Sequence, residues 1–217
     1  MLVPDLFLTF EEELTRRLQR SLPGPTAQHR MAPPFRDSSP AYPTTVPNSR
    51  EAAILALFFP STHSENSAEL LLTVRPEGMS NHAGQVAFPG GRHEAGEQLQ
   101  DTALRETEEE VFIPSSSIRV AGALTPLYIP PSNFIVHPFV GFVTEQPDLS
   151  VTSDEVARCF GVTVAHLRNP ETSRVATRKW KSESHEVPYF ALDGEFVWGA
   201  TAMILSELVE SIATSSS

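Results

Sequence analysis

The stretch from residue 90 to 113, GGRHEAGEQLQDTALRETEEEVFI, constrains this chain more than any other, because it gathers carboxylates where a helix tolerates them least. Leu99, Ala103, Leu104, Thr107 and Val111 recur at helical spacing, so a helix is expected from about Glu97 to Val111, stopped by Pro114. Glu106, Glu109 and Glu110 then share one face. Each like-charge pair at these spacings costs roughly 0.2–0.5 kcal/mol, and the cluster lies at the negative end of the helix dipole, where cations are preferred. Between Glu106 and Ile118 there is no Lys or Arg. A hard divalent cation such as Mg²⁺, which takes oxygen ligands and is commonly shared with substrate phosphates, answers this better than a solvated acidic face.

The residues before the helix supply a frame for such a site. Glu69 to Val74 and Gln85 to Phe88 are expected strands. Pro89-Gly90-Gly91 is expected to turn the chain from the second strand into the helix, with glycines that permit positive φ and close backbone approach. A carbonyl of this turn is a candidate metal ligand; for Gly90 a purely conformational need stands beside that role.

Composition narrows the function classes. A chain of 217 residues with 40% hydrophobic content can bury one good core. The expected organisation is an N-terminal helix and proline-rich crossing segment (1–49), a main domain (50–212) and a serine-rich tail (213–217). A net charge of −11 argues against nucleic acid or a membrane surface as partner. An anionic small molecule must then be received by a metal and a few cations, with Arg75, Arg92 and Arg105 nearest in sequence. The lone Cys159 allows no intrachain disulfide and points to a reducing, cytoplasmic setting, with the thiol buried as a structural residue. The opening residues lack a signal-peptide pattern, and no apolar run of about 18 residues is present.

Elsewhere, residues 4–21 are expected to form an amphipathic helix through Leu6, Phe7, Phe10, Leu14 and Leu18. The prolines of 22–49 exclude a continuous helix there, although Met31 to Arg36 is apolar enough to pack on the body. Strands are expected at Glu51–Phe59, Ile118–Leu124 and His137–Val143. The intervening TPLYIPPSNFIV is expected as a loop in which Tyr128 either meets substrate or stiffens the surface. Asp154 and Glu155 are expected to cap and begin a helix. Glu195 to Ile212 should give a short strand and then a helix, with Trp198 in the core.

The spacing of Gly91, Glu97, Arg105, Glu106, Glu109 and Glu110 resembles the Nudix hydrolase box: Gly, five residues, Glu, seven residues, Arg-Glu, two residues, Glu-Glu. Phe112 stands where that box usually has Gly, and Thr107 where it has an aliphatic residue. Upstream, Leu71, Leu72, Thr73, Arg75, His82, Gly84, Gln85, Val86, Phe88, Pro89, Gly90 and Gly91 resemble the signature of the coenzyme A pyrophosphatase branch. Pro76, Met79 and Ser80 depart from it, and an arginine is missing near residue 80. The resemblance implies an α/β/α sandwich, a mixed β-sheet between helices. It also implies Mg²⁺- or Mn²⁺-dependent hydrolysis of a nucleoside diphosphate.

In that scheme Glu106, Glu110, Glu109 and the Gly91 carbonyl hold metal. Glu109 shares a second metal or deprotonates the attacking water, Arg105 fixes the carboxylate geometry, and Glu97 orients Arg105 or an outer-shell water. Arg75, His82, Gln85 and Tyr128 are the expected substrate contacts, and Glu155 is a candidate late-loop carboxylate. The leading substrate is coenzyme A or an acyl derivative. ADP-ribose, a dinucleotide or a dinucleoside polyphosphate is the alternative, with a non-catalytic nucleotide-binding module as the rival class. A homodimer is compatible with this scheme.

Overall fold

The computed structural model describes residues 4–36, 46–62, 68–78, 84–150, 152–180 and 183–213. In chain order its first half runs α1 (Asp5–Leu18), α2 (Gly24–His29), β1 (Arg50–Pro60), β2 (Ala68–Val74), β3 (Val86–Ala87), β4 (Gly90–Arg92) and α3 (Leu99–Val111). The second half runs β5 (Arg119–Ala123), β6 (Leu127–Ile129), β7 (Phe134–Phe142), β8 (Arg158–Thr163), α4 (Val164–Arg168), β9 (Ser173–Trp180), β10 (Glu183–Leu192), β11 (Glu195–Trp198) and α5 (Gly199–Ala213).

Strand β1 organises the molecule because it is apolar on both faces. Ala53, Leu55, Leu57 and Phe59 point to one side and pack with Ala103, Val111 and Ile113 of the α3 region. Ala56 and Phe58 point to the other, where Phe7, Leu14 and Leu18 of α1 meet Leu205 and Leu208 of α5. That two-sided burial is what a strand with a continuous apolar run requires. The result is the α/β architecture expected, a mixed sheet between helices.

The sheet order is β3-β2-β1-β7-β5, with β4 also on β1, β6 on β7 and β8 on β2. Only β1 and β7 run parallel among these pairs. One edge of β1 is divided: Ala52 to Ile54 pair with β4, whereas Phe58 to Pro60 pair with β2. Leu55 N–H donates to the Pro89 carbonyl at the point of division. The glycine segment is thereby laid along β1, beneath α3.

Four sequence expectations change here. Gly90-Gly91 lies within a short strand rather than only a turn, because β1 offers it backbone partners. The stretch 125–136 is a β-hairpin, with Pro130 and Pro131 at its bend and Leu127 to Ile129 paired to β7. Asp154 and Glu155 occupy a turn and are followed by strand β8, not a helix. Trp198 is half-buried rather than in the core; Val197 is the fully buried residue of that strand.

The N-terminal segment shares the main core: Phe7, Leu14, Leu18 and Met31 belong to the same cluster as Phe58 and Phe142. Cys159 is buried, and burial pushes its thiol up to about 11. Among the described residues no helix is long and apolar enough to cross a membrane.

Candidate active site

Helix α3 begins with a reciprocal capping box between Gln98 and Asp101, which satisfies two otherwise orphaned backbone donors. It ends at Phe112, whose φ of 55° is left-handed and whose N–H donates to the Glu108 carbonyl. The expected helix thus starts two residues late, and the position usually held by Gly takes the conformation Gly would supply most easily. Ala103, Thr107 and Val111 anchor the helix by its buried side.

This docking brings two glutamates down onto the glycine strand. Glu110 Oε2 accepts the Gly90 N–H at 3.0 Å. Glu106 lies against Gly91, where an added Cβ would stand 2.4 Å from its carboxyl carbon. A Cβ on Gly90, which has φ 147°, would meet the Ala53 carbonyl of β1 at 2.4 Å. Gly90 is therefore required by packing on β1, and Gly91 by the close approach of Glu106.

Arg105 ties the other carboxylates together. Its Nε and Nη2 donate to the two oxygens of Glu97 at 3.2 and 3.1 Å. Its Nη1 donates to Glu106 at 2.9 Å and Glu109 at 3.1 Å, and Nη2 also reaches the Arg92 carbonyl. The cation sought beyond Glu106 in sequence is thus partly supplied by the residue just before it. The fork geometry of a guanidinium makes this possible. Arg105, followed by the Glu94 N–H, holds the Glu97 carboxyl down at about 2.

Glu106 and Glu110 remain in a different electrostatic state. Burial raises the Glu106 carboxyl, against the pull of Arg105, and Glu109 and Glu155 add to the rise. Burial pushes Glu110 up to about 7, against the Gly90 N–H and Arg75, with Glu106 and Glu155 reinforcing it. Glu155 reaches this pair because the Ser153 N–H donates to the Glu110 carbonyl at 3.0 Å, which holds its turn to the end of α3. Sequence reasoning favoured a capping role for Glu155; the structure makes it a third negative charge on the same centre.

Among the described residues no three acidic, imidazole or thiol groups close into a metal-binding cluster. Glu106 is turned to Arg105 and Glu110 to Gly90. The donor chemistry nonetheless fits a hard divalent cation: three mutually repelling carboxylates, two of them carrying a desolvation penalty.

The expected substrate contacts are placed unevenly. Arg75 acts electrostatically on Glu110, and its buried Nε has no hydrogen-bond partner among the described residues. Arg75 N–H donates to the Gln85 carbonyl at 3.0 Å, so these two residues face each other across the base of one loop. Tyr128 is not brought to the carboxylates; its hydroxyl donates to Asn133 Oδ1 at 3.0 Å within the β6–β7 hairpin. His82 lies outside the described residues.

The Nudix domain family model matches residues 48–183. An uncharacterized Nudix hydrolase, NudL, of Yersinia enterocolitica is 38% identical over 149 residues, covering 66% of this chain and 73% of that protein. The NudL protein of Yersinia pestis is 37% identical over 145 residues, covering 66% and 72%. Among solved structures, the Nudix hydrolase RenU of M. smegmatis shares the fold with a TM-score of 0.51 at 16% identity, across 76% of this chain and 88% of that one. A MutT/nudix family protein from Enterococcus faecalis gives 0.50 at 16% identity, across 79% and 65%. The family match takes in the central strands, the glycine strand and α3 together, and by it this chain belongs to the Nudix hydrolase family.

Proposed function

We propose that this Nudix hydrolase uses Mg²⁺ or Mn²⁺ to cleave the diphosphate bond of coenzyme A or an acyl derivative in the cytoplasm, releasing adenosine 3′,5′-bisphosphate and 4′-phosphopantetheine or its acyl form. The observation that carries this reading is the pairing of Glu110 with the Gly90 N–H and the close approach of Glu106 to Gly91, with Arg75 acting electrostatically on Glu110 and its Nε without a hydrogen-bond partner among the described residues. Glu106, Glu110 and the Gly91 carbonyl would hold the cation, with Glu109 and Glu155 at hand for a second. The bound cation would neutralise the diphosphate oxygens and polarise the attacking water.

The chain's own groups would supply orientation. Glu97 fixes Arg105, and Arg105 fixes Glu106 and Glu109, which keeps these carboxylates together beside the glycine strand. Glu109, more exposed than Glu106, is the candidate to take the proton from water. Arg75 would grip a phosphate oxygen by a charge-assisted hydrogen bond. Since phosphoryl transfer depends chiefly on positioning and charge stabilisation, these roles account for most of the catalysis.

The coenzyme A branch is supported by the run from Leu71 to Gly91, in which Arg75 and Gln85 meet across the loop base. The departures at Pro76, Met79 and Ser80 favour testing ADP-ribose beside it. Mass-spectrometric product analysis on coenzyme A and ADP-ribose, with and without metal, tests the reading. Coenzyme A should be cleaved faster, to the two named products; equal or better rates on ADP-ribose would reverse the order. Hydrolysis of neither, despite nucleotide binding, would favour a non-catalytic module.

A further inference from the structure

We propose that Thr102, acting with His93, is a positioning residue for the acidic site, an inference that rests on Glu106 and Glu109 working at the diphosphate. Thr102 is fully buried on the packing side of α3, where alanine or leucine would favour a helix more. A buried hydroxyl is costly unless hydrogen-bonded, so what Thr102 offers the site is its hydroxyl and not its shape.

Its Oγ1 lies 2.8 Å from Glu97 Oε1, 2.9 Å from His93 Nδ1 and 3.3 Å from the Gln98 carbonyl. A hydroxyl has one proton, and the carboxylate can only accept. Thr102 therefore donates to Glu97, and His93 must present Nδ1–H to Thr102. His93 is itself fixed, because its backbone N–H donates to the Glu51 carbonyl of β1 at 3.0 Å. Its ring stands 3.8 Å from Glu97 Oε1, too far for a direct hydrogen bond. Thr102 is the bridge.

The chain of contacts then runs His93 to Thr102 to Glu97, from both Glu97 oxygens to the Arg105 fork, and from Arg105 to Glu106 and Glu109. A rotation of the Glu97 carboxylate would carry the guanidinium with it and release two of the site's acids. Thr102 touches no reacting atom in this scheme. It sets the angle of the carboxylate that sets the angle of Arg105.

The test compares Thr102→Val, which keeps the shape and removes the hydroxyl, with Thr102→Ser, which keeps the hydroxyl. The readouts are kcat and KM on a cleaved diphosphate, and Mn²⁺ affinity without substrate, read as free Mn²⁺ by electron paramagnetic resonance. Thr102→Val should lower kcat or Mn²⁺ affinity about 10-fold, the low end of the range for removing a direct partner of a ligating group, because Thr102 acts through Glu97 and Arg105, with KM changed less than about threefold. Thr102→Ser should recover most of the loss. If Thr102→Val does not fold, His93→Leu removes the donor from a more exposed position and should give the same kcat-selective loss. With both variants folded, the double variant should be no worse than the worse single one, as expected for residues acting in one chain.

Wild-type kcat and Mn²⁺ affinity in Thr102→Val, or loss in Thr102→Ser equal to that in Thr102→Val, overturns the inference and leaves the proposed function standing. A wild-type protein that neither binds Mn²⁺ nor cleaves any diphosphate overturns the proposed function, and this inference with it.

Discussion

Two buried glutamates on different helices show how differently one fold can treat the same side chain. Glu207 of α5 is fully buried, yet its carboxylate accepts from Gln28 Nε2 at 2.8 Å, Thr125 Oγ1 at 2.7 Å, and the N–H groups of Gly24 and Thr125 at 3.2 Å. Glu110 of α3 is 6% exposed and accepts, among the described residues, only the Gly90 N–H. One carboxylate has donors on all sides, as a buried charge must if it is to serve structure. The other has one donor, and burial pushes it up to about 7 against the Gly90 N–H and Arg75, with two acidic neighbours reinforcing the rise. Glu207 is a fastener joining α5, α2 and the connection between β5 and β6, whereas Glu110 is held short of satisfaction, and such groups cluster at functional sites.

The largest effect that can break this comparison is on turnover. Glu110→Gln should lower kcat about 1,000-fold at saturating Mg²⁺, equivalent to about 4 kcal/mol of transition-state stabilisation, while circular dichroism shows the fold intact. Glu207→Ala should do the opposite. Removing the acceptor strands several buried donors and should cost about 3 kcal/mol, or about 6–12 °C in thermal midpoint, with kcat per folded molecule unchanged.

A comparable effect should appear with pH in metal-free buffer. Glu110 has a folded value of about 7 against 4.5 for the ordinary carboxyl, so its contribution to stability is fully present below about 4.5 and lost as pH rises through 7. The loss should reach about 3 kcal/mol, and chemical denaturation across that window should show it diminished in Glu110→Gln. The smallest effect concerns the end of α3. Phe112 is 54% exposed with φ 55°, so Phe112→Gly should stabilise the protein by about 0.5–1 kcal/mol in urea titrations.

The same contrast explains what was legible in the sequence. The α3 segment announces itself by local spacing, so Glu97, Arg105, Glu106, Glu109 and Glu110 could be singled out before any fold was known. Glu207 could not, since Gly24, Gln28 and Thr125 are distant in sequence and the pattern of α5 marks only its apolar residues. Thr102 read merely as part of a helix, because its partners His93 and Glu97 precede the cap and meet it only when the chain folds back.

Strands β9 and β10 were missed because β9, with Arg174, Arg178 and Lys179 exposed, lacks an apolar alternation. The β6–β7 hairpin was hidden by Pro130 and Pro131, which signal a loop and in fact form only its bend. Asp154-Glu155 has the composition of a helix cap and first turn; tertiary pairing of β8 with β2 overrides that local preference.

The proposed metal role rests on Glu110 and Glu106, the two carboxylates at the end of α3 that burial raises. The direct measurement is the thermal midpoint of the wild type, Glu110→Gln and Glu207→Gln with and without Mn²⁺ at pH 8. At about 100 times the dissociation constant, Mn²⁺ should raise the midpoint of the wild type by roughly 5–10 °C, and that of Glu207→Gln equally from its own lower baseline. Glu110→Gln should gain little. An equal gain in Glu110→Gln, or none in the wild type, would contradict the claim.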